Sequence, residues 1–129
     1  MEQWNNKGML RNILISYTLL IIVLAVLPIN NGEKLNDIFI LHVRGDYLVH
    51  FAMFIPLMAL IRLYTGHTFR TAALKTVAWI FAALVLAVVT EYTQYFLTYR
   101  AFNINDMAAN VVGVLIGSGF FFVRVNSEQ

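Results

Sequence analysis

The sequence predicts an all-α integral membrane bundle of four transmembrane helices, with both termini in the cytoplasm. Three observations carry that prediction. Of 129 residues, 60% are hydrophobic and only 12% charged, whereas a soluble domain has about a quarter charged and a little under half apolar. Four apolar runs are long enough to span a bilayer. The lysines and arginines near their ends fall unevenly on the two sides. The mean hydropathy of +0.70 agrees. A disordered chain, a disulfide scaffold (there is no cysteine) and a multi-domain enzyme are all excluded, and the length allows one domain over 1–129. A formal charge of +2 with no basic run gives no footprint for nucleic acid.

The first span, about 9–28, carries Arg11 and Asn12 near its start and stops at Pro28. Lys7 and Arg11 before an apolar stretch look like the start of a signal peptide. The run is too long for one, no A-x-A-like site follows, and three spans come after it, so it reads as an uncleaved helix. The second span, 46–64, contains Pro56, which membrane helices tolerate because neighbours re-satisfy the freed carbonyl. The third covers about 72–97 and the fourth 106–123. Each is roughly 18 to 26 residues, enough for a hydrocarbon core of about 30 Å.

Lys7, Arg11, Arg62, Arg70, Lys75 and Arg124 fall on one side, against Lys34, Arg44 and Arg100 on the other. Positive residues stay inside, so 30–45 and 98–105 are expected outside. In the first of these loops, Leu35, Ile38 and Phe39 at helical spacing, with Leu41 and Val43, suggest a short amphipathic segment in the interface. Tyr92, Tyr95, Tyr99 and Phe102 gather at the outer end of span three, as an aromatic belt would.

Charges within membranes are costly, so each needs a reason. Asp46 opens span two, with His50 at i+4; Glu91 and Gln94 lie late in span three; Asp106 opens span four, with Asn110 at i+4. Because the spans alternate in direction, all six, together with Arg100, end in the outer leaflet or its interface. A single outward-facing polar pocket walled by spans two, three and four is the economical explanation. The repeated carboxylate with a nitrogen-bearing side chain at i+4 hints at two related helical hairpins. Below Asn110, Gly113 and Gly117 form a small-xxx-small pair suited to helix packing.

In order and spacing, Asp46 and His50, Glu91 and Gln94, Arg100, Asp106, Asn110, Gly113 and Gly117 resemble the VanZ-like family over about 46–119. The chain departs at Tyr47, where family members often carry lysine. The resemblance implies a small multi-pass protein of the bacterial plasma (inner) membrane, and its namesake is associated with resistance to the lipoglycopeptide teicoplanin.

Two functional readings stay open. In one, the pocket binds an anionic, lipid-borne envelope molecule (a lipid-linked precursor or a lipoglycopeptide), with Arg100 forking onto phosphate or carboxylate and Gln94, Asp106 and Asn110 completing the site. In the other, an intramembrane hydrolase or transferase acts on a lipid-linked headgroup, with His50 and Glu91 as acid and base and Asp46 setting the imidazole tautomer. No nucleophile motif accompanies them, and Thr93 and Thr98 are only nearby hydroxyls. A divalent ion on Asp46, His50, Glu91 and Asp106 is the weaker reading. Nothing resembles H-E-x-x-H and Arg100 would repel a cation, so no metal and no cofactor is assigned. Against all of these stands a structural reading: Asp46 and Asp106 are helix N-caps, Arg100 pairs with Glu91 or Asp106, and the amides join helices. His42 and His67 receive no role. Membrane lipids are the certain surroundings, and a homo-oligomer is compatible with the sequence. A transporter is disfavoured, because no charge marks a path through the inner half.

Overall fold

The computed structural model describes residues 2–27, 39–40, 43–66, 68–99 and 102–123. Helix α1 spans Glu2–Val26, α2 Gly45–Thr65, α3 Ala73–Tyr95 and α4 Ile104–Gly117, which continues directly into a 3₁₀ turn over Ser118–Phe121. All four are long and apolar enough to cross a membrane, over Asn6–Val26, Gly45–Thr65, Ala73–Tyr95 and Ile104–Phe121. The four expected spans are therefore present, and the fold is all-helical.

Helix ends differ from the sequence reading for local reasons. Asn103 caps α4, its side chain accepting the N–H of Asn105 at 3.0 Å, so the helix starts before Asp106. Arg44, in extended conformation, precedes α2. Asp46 and Asp106 thus lie in first turns and are not the N-caps, which corrects the capping alternative. Helix α3 stops at Tyr95, where the N–H groups of Phe96 and Leu97 turn back onto Thr93 and Gln94. At the other end of α2, Gly66 adopts φ +66°, a left-handed C-cap that favours glycine, and its N–H reaches the Arg62 carbonyl.

The loop before α2 also differs from expectation. Phe39–Ile40 (β1) pairs antiparallel with Val43–Arg44 (β2), Phe39 opposite Arg44 and Ile40 opposite Val43. At these positions the chain is a two-residue ladder and not an amphipathic helix, in keeping with the β-branched Ile40 and Val43. Leu35, Ile38, Leu41, His42 and Lys34 lie outside the described residues, as do His67, Arg100 and Arg124.

Helix α2 is central. Its Phe54, Leu57, Met58 and Ile61 are buried against Leu14 and Ile21 of α1, Ala83 and Ala87 of α3, and Val114 and Phe121 beyond. The closest seam is α2 with α4. A Cβ on Gly113 would collide with the Phe51 carbonyl oxygen, and one on Gly117 would stand 2.8 Å from Met58 Cβ. Glycine at these two places is what lets the backbones approach. The outer faces are apolar and open, with Leu74 83%, Phe96 72% and Phe81 66% exposed, as a lipid-facing surface requires. Several hydroxyls bond within their own helix or the turn that continues it: buried Thr90 to Leu86, half-buried Thr65 to Ile61 and buried Ser118 to Leu115. The turn after α2 is pinned to the end of the chain's last helical turn by Phe69 N–H to the Phe121 carbonyl, with Phe69 stacked on Phe122.

Candidate functional site

The start of α2, the end of α3 and the start of α4 meet at one end of the bundle, and the polar residues meet there with them. Glu91 is fully buried, Asn110 is 1% exposed and Gln94 and Asp106 are also buried. Burying this many polar groups in a membrane bundle demands partners. The backbone N–H of Asn103 donates to Glu91 Oε1 at 3.1 Å, tying the end of α3 to the cap of α4. His50 Nδ1 lies 3.1 Å from Asn110 Oδ1, joining α2 to α4. The two nitrogen-bearing side chains of the repeated i+4 pairs therefore face each other directly.

This contact sets the imidazole. An amide oxygen only accepts, so Nδ1 carries the proton, and in the neutral ring Nε2 presents its lone pair. Nε2 points to Asp106 Oδ2 at 3.9 Å, too far for a hydrogen bond. Asp106 also feels the charges of Asp46 and Arg44 and the Asn103 amide. Its Oδ1 is closed to solvent and has no hydrogen-bond partner among the described residues. One ligand-type atom each from His50, Glu91 and Asp106 falls within 4.8 Å of the others.

Asp46 takes a different position from the one its sequence spacing suggested. Its Oδ2 accepts from Arg44 Nη2 at 2.7 Å and its Oδ1 from the Tyr47 N–H at 2.9 Å. The tautomer of His50 is set by Asn110, and Asp46 instead holds Arg44, whose guanidinium also lies 4.8 Å over the Tyr47 ring. Tyr47, where the resemblance expects lysine, receives a hydrogen bond from Asn105 Nδ2 at 3.2 Å. Arg100 falls outside the described residues.

The VanZ/LLP1 family model matches residues 3–125, nearly the whole chain. The chain belongs to the VanZ/LLP1 family. No curated protein matches it, and no solved structure does.

In this VanZ/LLP1 protein the hydroxyls considered as nucleophiles stand apart from the cluster. Thr93 Oγ1 is committed to the Val89 carbonyl at 2.7 Å, and Thr98 is exposed in the turn after α3. The aromatic residues collect at the polar end: Tyr92 contacts Tyr95, Phe96 and Phe102 at 6.0 to 6.2 Å between ring centroids. The Tyr99 hydroxyl donates to the Val26 carbonyl at 2.7 Å, closing α1 onto this end. Three participants were missed in the sequence. Arg44 was counted only for topology, although its place two residues before Asp46 is the spacing of a local ion pair. Asn103 and Asn105 were overlooked beside Asp106, although an Asn two residues ahead of another polar residue at a helix start is a capping signal.

Proposed function

We infer that this protein receives the polar headgroup of a lipid-borne molecule of the bacterial cell envelope at its polar end, on the outer face of the plasma membrane. The observation that supports the reading is the convergence of half-buried His50 with buried Glu91, Asp106 and Asn110 from three helices at one end of a membrane-crossing bundle. A lipid keeps its tails against the exposed apolar faces while its headgroup lies at this depth. The excess of lysine and arginine at the opposite end and on the N-terminal side supports the outward orientation. The family resemblance adds the class of ligand: teicoplanin, or the lipid-linked precursor it targets, carries its polar part at the same level. Gln94 and Asn110 supply amide hydrogen bonds, and Arg44, held by Asp46, supplies positive charge at the rim.

A second reading is hydrolysis or group transfer on that headgroup. What favours it is His50 Nε2 facing the Asp106 carboxylate, with Glu91 close by. With Thr93 bonded to its own helix, water is the attacking group, His50 takes its proton, and Glu91 protonates the leaving oxygen.

The test is drug susceptibility in a Gram-positive host producing the wild type or Glu91→Gln at matched membrane levels. Protection against teicoplanin but not against non-acylated vancomycin, lost in the variant, is the expected result. Equal susceptibility of all strains to both drugs would remove the teicoplanin link. Labelling of Thr98→Cys from outside intact cells tests the orientation, and reaction only after permeabilisation would invert it.

A further inference from the structure

We propose that His50, Glu91 and Asp106 bind a divalent first-row cation at the polar end, with Asn110 orienting the imidazole from behind. This revises the metal-free assignment made from the sequence. Three observations support it. The three ligand-type atoms already stand within 4.8 Å of one another. Ligands of one ion, at bond lengths of about 2.0–2.2 Å, stand roughly 3 Å apart, so these atoms are within about 2 Å of a common coordination sphere. His50 Nδ1 is engaged by Asn110, which leaves Nε2, on the side of Asp106, as the nitrogen open to a metal. Ligating histidines regularly have the second nitrogen held in this way. Asp106 is 8% exposed, and its Oδ1 is shut from solvent with no hydrogen-bond partner among the described residues.

Asp46 is not part of the set, because Arg44 occupies its carboxylate at 2.7 Å. One imidazole with two carboxylates suits Mn²⁺ or Zn²⁺ and leaves coordination positions open. If the headgroup reading is correct, those positions take its anionic oxygens. An anion facing Glu91 and Asp106 directly would otherwise be repelled. That role rests on the proposed function; the cation site itself does not.

The experiment uses the full chain in detergent micelles, stripped with chelator, and titrates Mn²⁺ alone. One ion per chain is expected, with a pulsed electron-spin signal showing coupling to a single imidazole nitrogen. Glu91→Gln and Asp106→Asn, near-isosteric changes, should weaken binding by roughly 100-fold, the upper end of what even an outer-shell loss costs. His50→Gln should abolish the nitrogen coupling, while Thr76→Val at the opposite end leaves titration and spectrum unchanged. Binding equal in wild type and Asp106→Asn, or a wild-type spectrum without nitrogen coupling, overturns the site. A parallel vesicle assay with a phosphate-bearing polyprenyl lipid separates the two ideas. Lipid retained equally in chelator overturns the cation while leaving the headgroup reading intact. A cation bound with no lipid affinity keeps the site and removes the headgroup reading.

Discussion

The two ends of the bundle handle buried polar groups in opposite ways. At the end where Glu91, Asp106 and Asn110 lie, side chains reach across helices: His50 to Asn110 and Asn105 to Tyr47. At the other end, Thr65 and Ser118 turn back to carbonyls of their own helices or of the turn leaving them, and Thr76, fully buried in the first turn of α3, leaves Oγ1 without a hydrogen-bond partner among the described residues. A hydroxyl bonded to its own helix costs little and specifies nothing about the neighbour. An imidazole bonded to another helix fixes the rotation and depth of both. The contrast teaches that the polar end is where the relative placement of α2, α3 and α4 is specified, while the other end relies on apolar packing and the Tyr64–Trp79 edge contact.

The strongest way to break this contrast is through the seam that joins the two ends. Gly113→Ala places a methyl against the Phe51 carbonyl, which is backbone and cannot rotate away. We expect a loss of about 3 kcal/mol, read as a fall in thermal unfolding temperature in detergent, and a comparable loss for Gly117→Ala, whose methyl would meet Met58 Cβ and the Ile55 Cα. An unchanged midpoint for Gly113→Ala would mean the α2–α4 approach is looser than described. Next in size is Asn110→Leu, which leaves His50 Nδ1 without its partner; about 1–2 kcal/mol is expected, by the same melt. Tyr17→Phe removes one bond from α1 to the Met53 carbonyl and should cost about 0.6 kcal/mol, near the average for hydrogen bonds between membrane helices. The smallest change sharpens the contrast from the other end. Thr76→Val should be neutral, or stabilising by up to about 1 kcal/mol, since it replaces an unsatisfied buried hydroxyl with a methyl. A clear loss there would show that both ends depend on polar contacts.

The spans were legible because runs such as those within 72–97 are long and nearly uncharged, and hydropathy is a bulk property that survives any detail of packing. The gathering of polar residues was legible for a geometric reason: alternating helix directions bring the start of one span, the end of the next and the start of a third to one level. Pairings were not legible. An i+4 spacing says that Asp46 and His50 share a face, but not that Asp46 turns to Arg44 while His50 turns to Asn110. That choice depends on rotation about the helix axes, which residue spacing does not state. Before α2, Leu35 and Ile38 of the helical spacing lie outside the described residues, while at Phe39–Ile40 and Val43–Arg44 a two-residue ladder takes the backbone hydrogen bonds, which an apolar pattern alone does not reveal.

The ending of α4 in a 3₁₀ turn bears on how the membrane itself acts on the polar end. Fourteen α-helical residues followed by four in the steeper 3₁₀ rise give about 29 Å, against about 34 Å for the 23 residues of α3. In a hydrocarbon core of about 30 Å, α3 has length to spare and adjusts by tilting, whereas α4 has none. Bilayer thickness is then felt first at Asp106 and Asn110: thicker lipid draws them deeper and farther from water, and thinner lipid lifts them toward it. Acyl-chain length becomes a dial on the hydration of these two side chains, with no residue changed.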